Sequence, residues 1–154
     1  MLKIDYREKV RAWNKEGSVE RLARPTNPGR ARALGYKAKQ GFVMARVRIK
    51  KGGRRKPSTR KGRKPKSSGV FFTTEASKQA IAERRVADKF PNLEVINSYF
   101  IGQDGKHKFY EVIMADTHHN AVKKDKERNW ILNQRRRAYR GLTSAGKRGR
   151  GLRR

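Results

Sequence analysis

The side chains whose number and spacing could do chemistry in this sequence are cationic, and the chemistry they suit is neutralisation of a polyanion. Sixteen Lys or Arg and no acid occur from Arg30 to Lys66, and no Asp or Glu occurs between Glu20 and Glu75. Without carboxylates nearby in the chain, these cations are expected to find their counter-charge outside it. The candidates fall in three groups: Arg30, Arg32, Lys37 and Lys39; Arg46, Arg48, Lys50 and Lys51; and Arg54, Arg55, Lys56, Arg60, Lys61, Arg63, Lys64 and Lys66. A second concentration comprises Arg135, Arg136, Arg137, Arg140, Lys147, Arg148 and Arg150. Arginine suits bidentate phosphate contacts and stacking, and lysine supplies diffuse charge. Tyr36 and Tyr139 are the aromatics set inside basic runs, where each could stack on an unpaired base.

Other chemistries find little support. Gly141 to Lys147 has the spacing G-x-x-x-x-G-K of a phosphate-binding loop, but Arg148 stands where Ser or Thr would hold Mg²⁺, and no hydrophobic strand leads in. His107, His118 and His119 do not make a metal site: two are adjacent and so point in alternate directions, and there is no Cys to join them. No cofactor is expected, although Mg²⁺ bridging the protein to a bound phosphate would leave no protein motif. No residue is assigned a catalytic role.

A net charge of +29 on 154 residues and a pI near 11.4 make the compact state self-repelling and point to nucleic acid as its surroundings. Only 34% of residues are hydrophobic, against about 45–50% in ordinary globular chains, so a small core is expected. No apolar run approaches the roughly 20 residues that span a bilayer, and no membrane association is expected. The absence of Cys excludes disulfides, and Met1 leads into charged residues without a signal-peptide core, as in an intracellular chain.

The elements that must position these cations can be read in order. Leu2, Tyr6, Val10 and Trp13 recur at helical spacing, which predicts one helix over Leu2 to Leu22, bent or broken at Gly17-Ser18. Arg24 to Gly29 carries two prolines and reads as a linker; Ala31, Leu34 and Ala38 suggest a short helix within Arg30 to Lys39 that Gly35 weakens. From Phe42 to Lys51, Val43, Ala45, Val47 and Ile49 alternate with Arg46, Arg48 and Lys50, which predicts a strand with an apolar back and a basic front, stopped at Gly52-Gly53. Arg54 to Gly69 lacks hydrophobic periodicity and reads as a loop that orders on a partner, with Arg54 to Lys66 extended and nearly without contacts to the rest of the chain.

Thr74 to Phe90 is predicted as a helix, with Thr74 as N-cap and Ala76, Ala80, Ala87 and Phe90 on its packing stripe, while Ile81 and Val86 fall off it. Leu93 to Met114 reads as a hairpin turning at Asp104-Gly105, with Phe100 opposite Phe109, Ile96 opposite Ile113, Tyr99 opposite Tyr110 and Asn97 opposite Val112. This hairpin is expected at the centre of a small antiparallel sheet that includes the 42–51 ribbon, with packed helices: an α+β fold in one domain. Asp116-Thr117 could cap a short helix through Lys124, and Trp130-Ile131 is the last apolar anchor. Basic arms are expected over about 24–70 and 133–154, mobile in the isolated chain, with a stable fold confined to about Phe71 to Met114.

Three blocks, RARALGYKAKQGFVMARVRIKKGGRRK, NLEVINSYFIGQDGKHKFYEVI and RGLTSAGKRGRGL, resemble in the same order those of the archaeal and eukaryotic large-subunit ribosomal protein family L-fifteen-e. With the segments between them the likeness covers about residues 24 to 152. It implies a mixed α/β body with extensions threaded among large-subunit ribosomal RNA, neighbouring ribosomal proteins as partners, a place in the cytoplasmic ribosome, and no homo-oligomer. Family members usually extend further at both ends, so contacts made by those parts are not carried over. The rival reading is a DNA-compacting chromatin protein, since both polymers present phosphates. No recognition helix, zinc module or duplicated unit is visible, and irregular arms suit folded RNA better.

Overall fold

Four antiparallel strands form the sheet on which the molecule is built: β1 (Val19–Leu22), β2 (Phe42–Lys50), β5 (Leu93–Gln103) and β6 (His107–Asp116), in the order β1-β2-β6-β5. The computed structural model describes residues 3–55, 57, 60–69 and 71–152. Leu2 of the expected apolar stripe and Lys56 of the basic loop lie outside the described residues.

The expected α+β class is found, with a different strand at the centre. β6 is flanked by β2 and β5, and every residue from Phe109 to Ala115 is buried, because helices cover both faces of the sheet. The hairpin is therefore not central as a unit, and its first strand lies at the sheet edge. On one face, Val43, Ala45, Val47 and Ile49 of β2 and Tyr110, Val112 and Met114 of β6 pack against Ala82 and Val86 of α3 (Lys78–Lys89). On the other, Phe42, Met44, Ile96, Tyr99 and Ile113 enclose Ala31 of α2 (Pro28–Ala33), Val122 of α4 (Asn120–Lys123) and Ile131. A third cluster joins Val10 and Trp13 of α1 (Lys3–Lys15) to Phe109. Buried residues thus run from Val10 to Ala145, well beyond the stable fold expected between Phe71 and Met114.

Local differences have local causes. The first helix ends at Lys15, and Gly17-Ser18 opens into β1 instead of a bent continuation, since Val19 and Leu22 gain more by pairing with Val47 and Met44. α2 begins at Pro28, which the linker reading had kept outside; Asn27 caps it by accepting from Arg30 N, and Gly35 (φ +105°) follows its end. The N-cap of α3 is Ser77, accepting from Ala80 N at 3.2 Å, and not Thr74, whose hydroxyl donates to Ala76 C=O. Ala82, Glu83 and Val86 are buried on its core side, so Val86 belongs to the packed face and not off it. The short helix after Asp116 is α4, capped by His119.

The hairpin forms in a register other than the expected one. Asp104 N–H donates to His107 C=O at 3.0 Å, so the loop residues are Gly105 and Lys106. The Asp104 carboxylate also accepts from Lys106 N (2.7 Å) and His107 N, satisfying two turn amides from one side chain. Pairing starts at Gln103 with Lys108; bulges between Phe100 and Gly102 and between Val95 and Asn97 then shift it twice. Phe100 faces Tyr110, Tyr99 faces Glu111, Asn97 faces Ile113 and Ile96 sits in a bulge, so all four expected pairs are corrected. Phe100 and Phe109 are on opposite faces: one half exposed, the other fully buried against Trp13. At Gly102 a Cβ would collide with the Tyr6 ring, whose hydroxyl accepts from Gln103 N at 2.8 Å and ties α1 to the hairpin tip.

Candidate RNA interface

The basic front of β2 does not face outward. α1 lies across it, and Arg46 Nη2 meets Glu16 Oε1 at 2.6 Å while its guanidinium sits 4.9 Å from the Trp13 ring centre. Arg48 donates to Asn14 C=O. Lys37 bridges Asp125 (2.7 Å) and Glu127 (2.9 Å), with Lys39 3.9 Å from Asp125. The Lys37 ammonium holds the Asp125 carboxyl below its usual range and is itself raised by those acids. The expectation that every cation of the acid-free run looks outside the chain is corrected for these four. Their partners lie 30 and 88 residues away for Arg46 and Lys37, too far for local sequence to reveal.

The segment from Arg135 onward is docked on the body instead of projecting as an arm. Glu94 accepts from Arg136 N (2.6 Å) and Arg137 N (3.2 Å), and the buried Arg137 donates to Val95 C=O (2.5 Å) and Ile96 C=O (3.0 Å), carbonyls beside the β5 bulge. Its guanidinium lies 4.5 Å from the Trp130 ring centre, and burial lowers its pKa. Thr143 caps α5 (Ser144–Gly149) by accepting from Gly146 N, while its hydroxyl donates to the fully buried Glu83, which also accepts from Ser98. Burial pushes the Glu83 carboxyl up from its ordinary value. The G-x-x-x-x-G-K stretch is thus a helix-capping turn, with Gly141 at φ +65° packed against Gly146.

Other candidates remain on the surface. Arg54 and Arg55 form β3, paired with β4 (Phe71–Phe72), and Arg60, Lys61, Arg63, Lys64 and Lys66 are exposed in the loop between them. None of these seven has a side-chain hydrogen bond or ion pair within the described residues; a turn at Pro65–Ser67 is the loop's only further regular element there. This loop is otherwise irregular and exposed, as expected, although its base is closed by the β3-β4 ribbon. Arg30 and Arg32 project from α2 and Lys147 and Arg148 from α5, while Lys50 ends β2 and Lys51 follows it. Arg135 is exposed; Arg140 and Arg150 are exposed but steadied by the carbonyls of Arg135 and Arg140.

Of the two tyrosines, Tyr36 is half-buried against the core cluster around Ala31. Tyr139 is exposed, its hydroxyl donating to Asp88 and its ring 5.5 Å from the Arg136 guanidinium. The Asp88 hydrogen bond, with some burial, raises the Tyr139 hydroxyl pKa. Sequence reading overlooked Phe71, 78% exposed and opposite Arg55, and Arg84, which shares a surface groove with Tyr139. The basic run ending at Phe71-Phe72 was the available signal for the first; nothing local marked the second.

Among the described residues no helix is long and apolar enough to cross a membrane. The family model described as Ribosomal L15 matches residues 1–154. The chain is 53% identical over 150 residues to a protein of Methanocella arvoryzae (strain DSM 22066 / NBRC 105507 / MRE50) named "Large ribosomal subunit protein eL15", covering 96% of this chain and 76% of that protein.

Proposed function

As the chain belongs to the ribosomal L15e family, a family of ribosomal proteins and not of enzymes, we propose that it is a structural constituent of the large ribosomal subunit in the cytoplasm. It binds ribosomal RNA by neutralising phosphates and helps fix the packing of neighbouring RNA segments and ribosomal proteins. The observation that carries the reading is how its cations divide. Arg46, Arg48, Lys37 and Arg137 hold the fold together, while the 54–66 loop, α2 and α5 present cations with no carboxylate within ion-pairing distance among the described residues. The RNA-binding set is therefore Arg30, Arg32, Lys50, Lys51, Arg54, Arg55, Arg60, Lys61, Arg63, Lys64, Lys66, Arg135, Arg140, Lys147, Arg148 and Arg150.

The α/β body then acts as a rigid platform. Neutralisation of phosphates releases condensed counterions, which offsets the cost of ordering the loop. Sedimentation of the cellular protein through a sucrose gradient tests this. It should travel with the large subunit and leave it at high salt; cosedimentation with chromatin and absence from the subunit would favour a DNA-compacting role and overturn the proposal.

A further inference from the structure

The groove between α3, the β3-β4 ribbon and the 139–150 segment has features that phosphate neutralisation alone does not require. Its volume is about 690 Å³, within the roughly 300–1,000 Å³ of small-ligand sites and too confined for a double helix. Four arginines line it, Arg54, Arg84, Arg140 and Arg150. Arg54 and Arg84 make no side-chain hydrogen bond or ion pair within the described residues. Phe72 and Tyr139 supply aromatic walls; the Tyr139 hydroxyl donates to Asp88, and the Arg136 guanidinium lies over its ring, 5.5 Å from the centre.

Part of the lining is bare backbone. A Cβ on Gly146 would fall 2.6 Å from Gly141 Cα, so that contact requires glycine, whereas a Cβ on Gly149 meets nothing within 4 Å. The single acid among the lining residues is Glu75, which forms no ion pair with the arginines around it. Arginines for phosphate, aromatic walls for a planar ring, side-chain-free backbone and one acceptor for an exocyclic amine describe a single nucleotide.

We propose that this groove receives one unstacked nucleotide of bound RNA, its base beside Tyr139 and Phe72 and its flanking phosphates on the arginines. The site rests on the RNA-binding reading above and makes it specific: the protein recognises a bulged or looped-out nucleotide and not only a charged backbone. Glu75 favours a base that carries an exocyclic amino group, such as adenine.

The test compares two RNA hairpins, one fully paired and one with a single bulged adenosine, by equilibrium binding to the full chain at fixed salt. The wild-type protein should prefer the bulged hairpin about tenfold, the scale of one base–aromatic stack. Gly149→Leu adds an uncharged side chain at a lining position where a Cβ meets nothing within 4 Å, and should abolish the preference while leaving affinity for the paired hairpin unchanged. Arg84→Gln should reduce the preference, whereas Arg85→Gln, at an exposed neighbouring position that lines a different groove, should keep it. Circular dichroism melts of the three variants should match the wild type, which excludes misfolding as the cause. Equal wild-type affinity for the two hairpins overturns the proposal, as does a preference that survives Gly149→Leu. Failure to bind either hairpin in a salt-dependent way would instead overturn the RNA-binding reading on which it rests.

Discussion

Arg46 grips Glu16 with two nitrogens, Nη2 at 2.6 Å and Nε at 3.1 Å, joining β2 to the residue just past α1. The Arg46 side chain is only 10% exposed, and Trp13 covers it. A cation from the most basic part of the sequence is thereby spent inside the protein, and α1 is fixed across the sheet.

Arg46→Gln should therefore lower unfolding stability by about 1.5–3 kcal/mol, the range for a hydrogen bond to a charged group, as read by urea melts. The salt dependence of RNA binding should not change. A slope flattened by about one unit of log K per log salt, with stability intact, would place Arg46 on the RNA instead.

Arg135 and Arg137, two residues apart, should behave oppositely. Arg137→Gln leaves the Val95 and Ile96 carbonyls without their donor and removes the cation over Trp130. It should lower stability by about 1–3 kcal/mol and weaken hydrogen-exchange protection of β5. Arg135→Gln should leave melting unchanged and flatten the RNA-binding salt slope by about 0.7–0.9. Replacing Arg135, Arg136 and Arg137 together would mix the two effects.

The hairpin register makes its own prediction. Phe109 is fully buried, with its ring centre 5.4 Å from that of Trp13, whereas Phe100 is 50% exposed and meets Tyr110 edge-on at 5.7 Å. Phe109→Ala should cost about 3–5 kcal/mol and Phe100→Ala much less. A double-mutant cycle should find about 0.5–1.5 kcal/mol of coupling between Trp13 and Phe109 and almost none between Phe100 and Phe109.

Glu83 links stability to pH. Burial raises its folded-state pKa above the ordinary 4.5, so the protonated acid is the form the fold prefers. That contribution is complete below about pH 4.5 and is lost as pH rises through the folded value. Glu83→Gln removes the titration, so its melting temperature should rise relative to wild type as pH increases from 4 to 8, with the difference smallest at pH 4. A difference that does not vary with pH would show that Glu83 does not titrate with folding. Glu83→Ala should destabilise at every pH, because Ser98 and Thr143 lose their acceptor.

Much of this molecule was legible residue by residue. The β2 alternation, the α3 helix and the presence of a hairpin turn at Asp104-Gly105 are set by side chains within a few positions of one another, and they appear close to where expected, with element ends and the turn residues shifted by up to a few positions. The basic loop after Gly53 was equally clear, since a segment with no apolar periodicity has nothing to bury. Less visible were the two bulges in β5. They depend on Phe109 seeking Trp13, on Arg137 seeking the carbonyls at the bulge, and on Asp104 taking two turn amides, only the last of which is local.

What the sequence by itself determined is the chemistry of the surface: +29 charges and an acid-free run of more than fifty residues between Glu20 and Glu75 call for a polyanion whatever the fold. Which of those charges reach that polyanion was decided only by tertiary structure. Closing the sheet brings Glu16 onto Arg46, Asp125 onto Lys37 and the β5 carbonyls onto Arg137, contacts spanning from 30 to 88 residues of chain. Ion pairs and hydrogen bonds act over a few ångströms of space, and periodicity along the chain reports only on neighbours in sequence, so a cation that holds the fold and one that meets RNA read alike until the strands are paired.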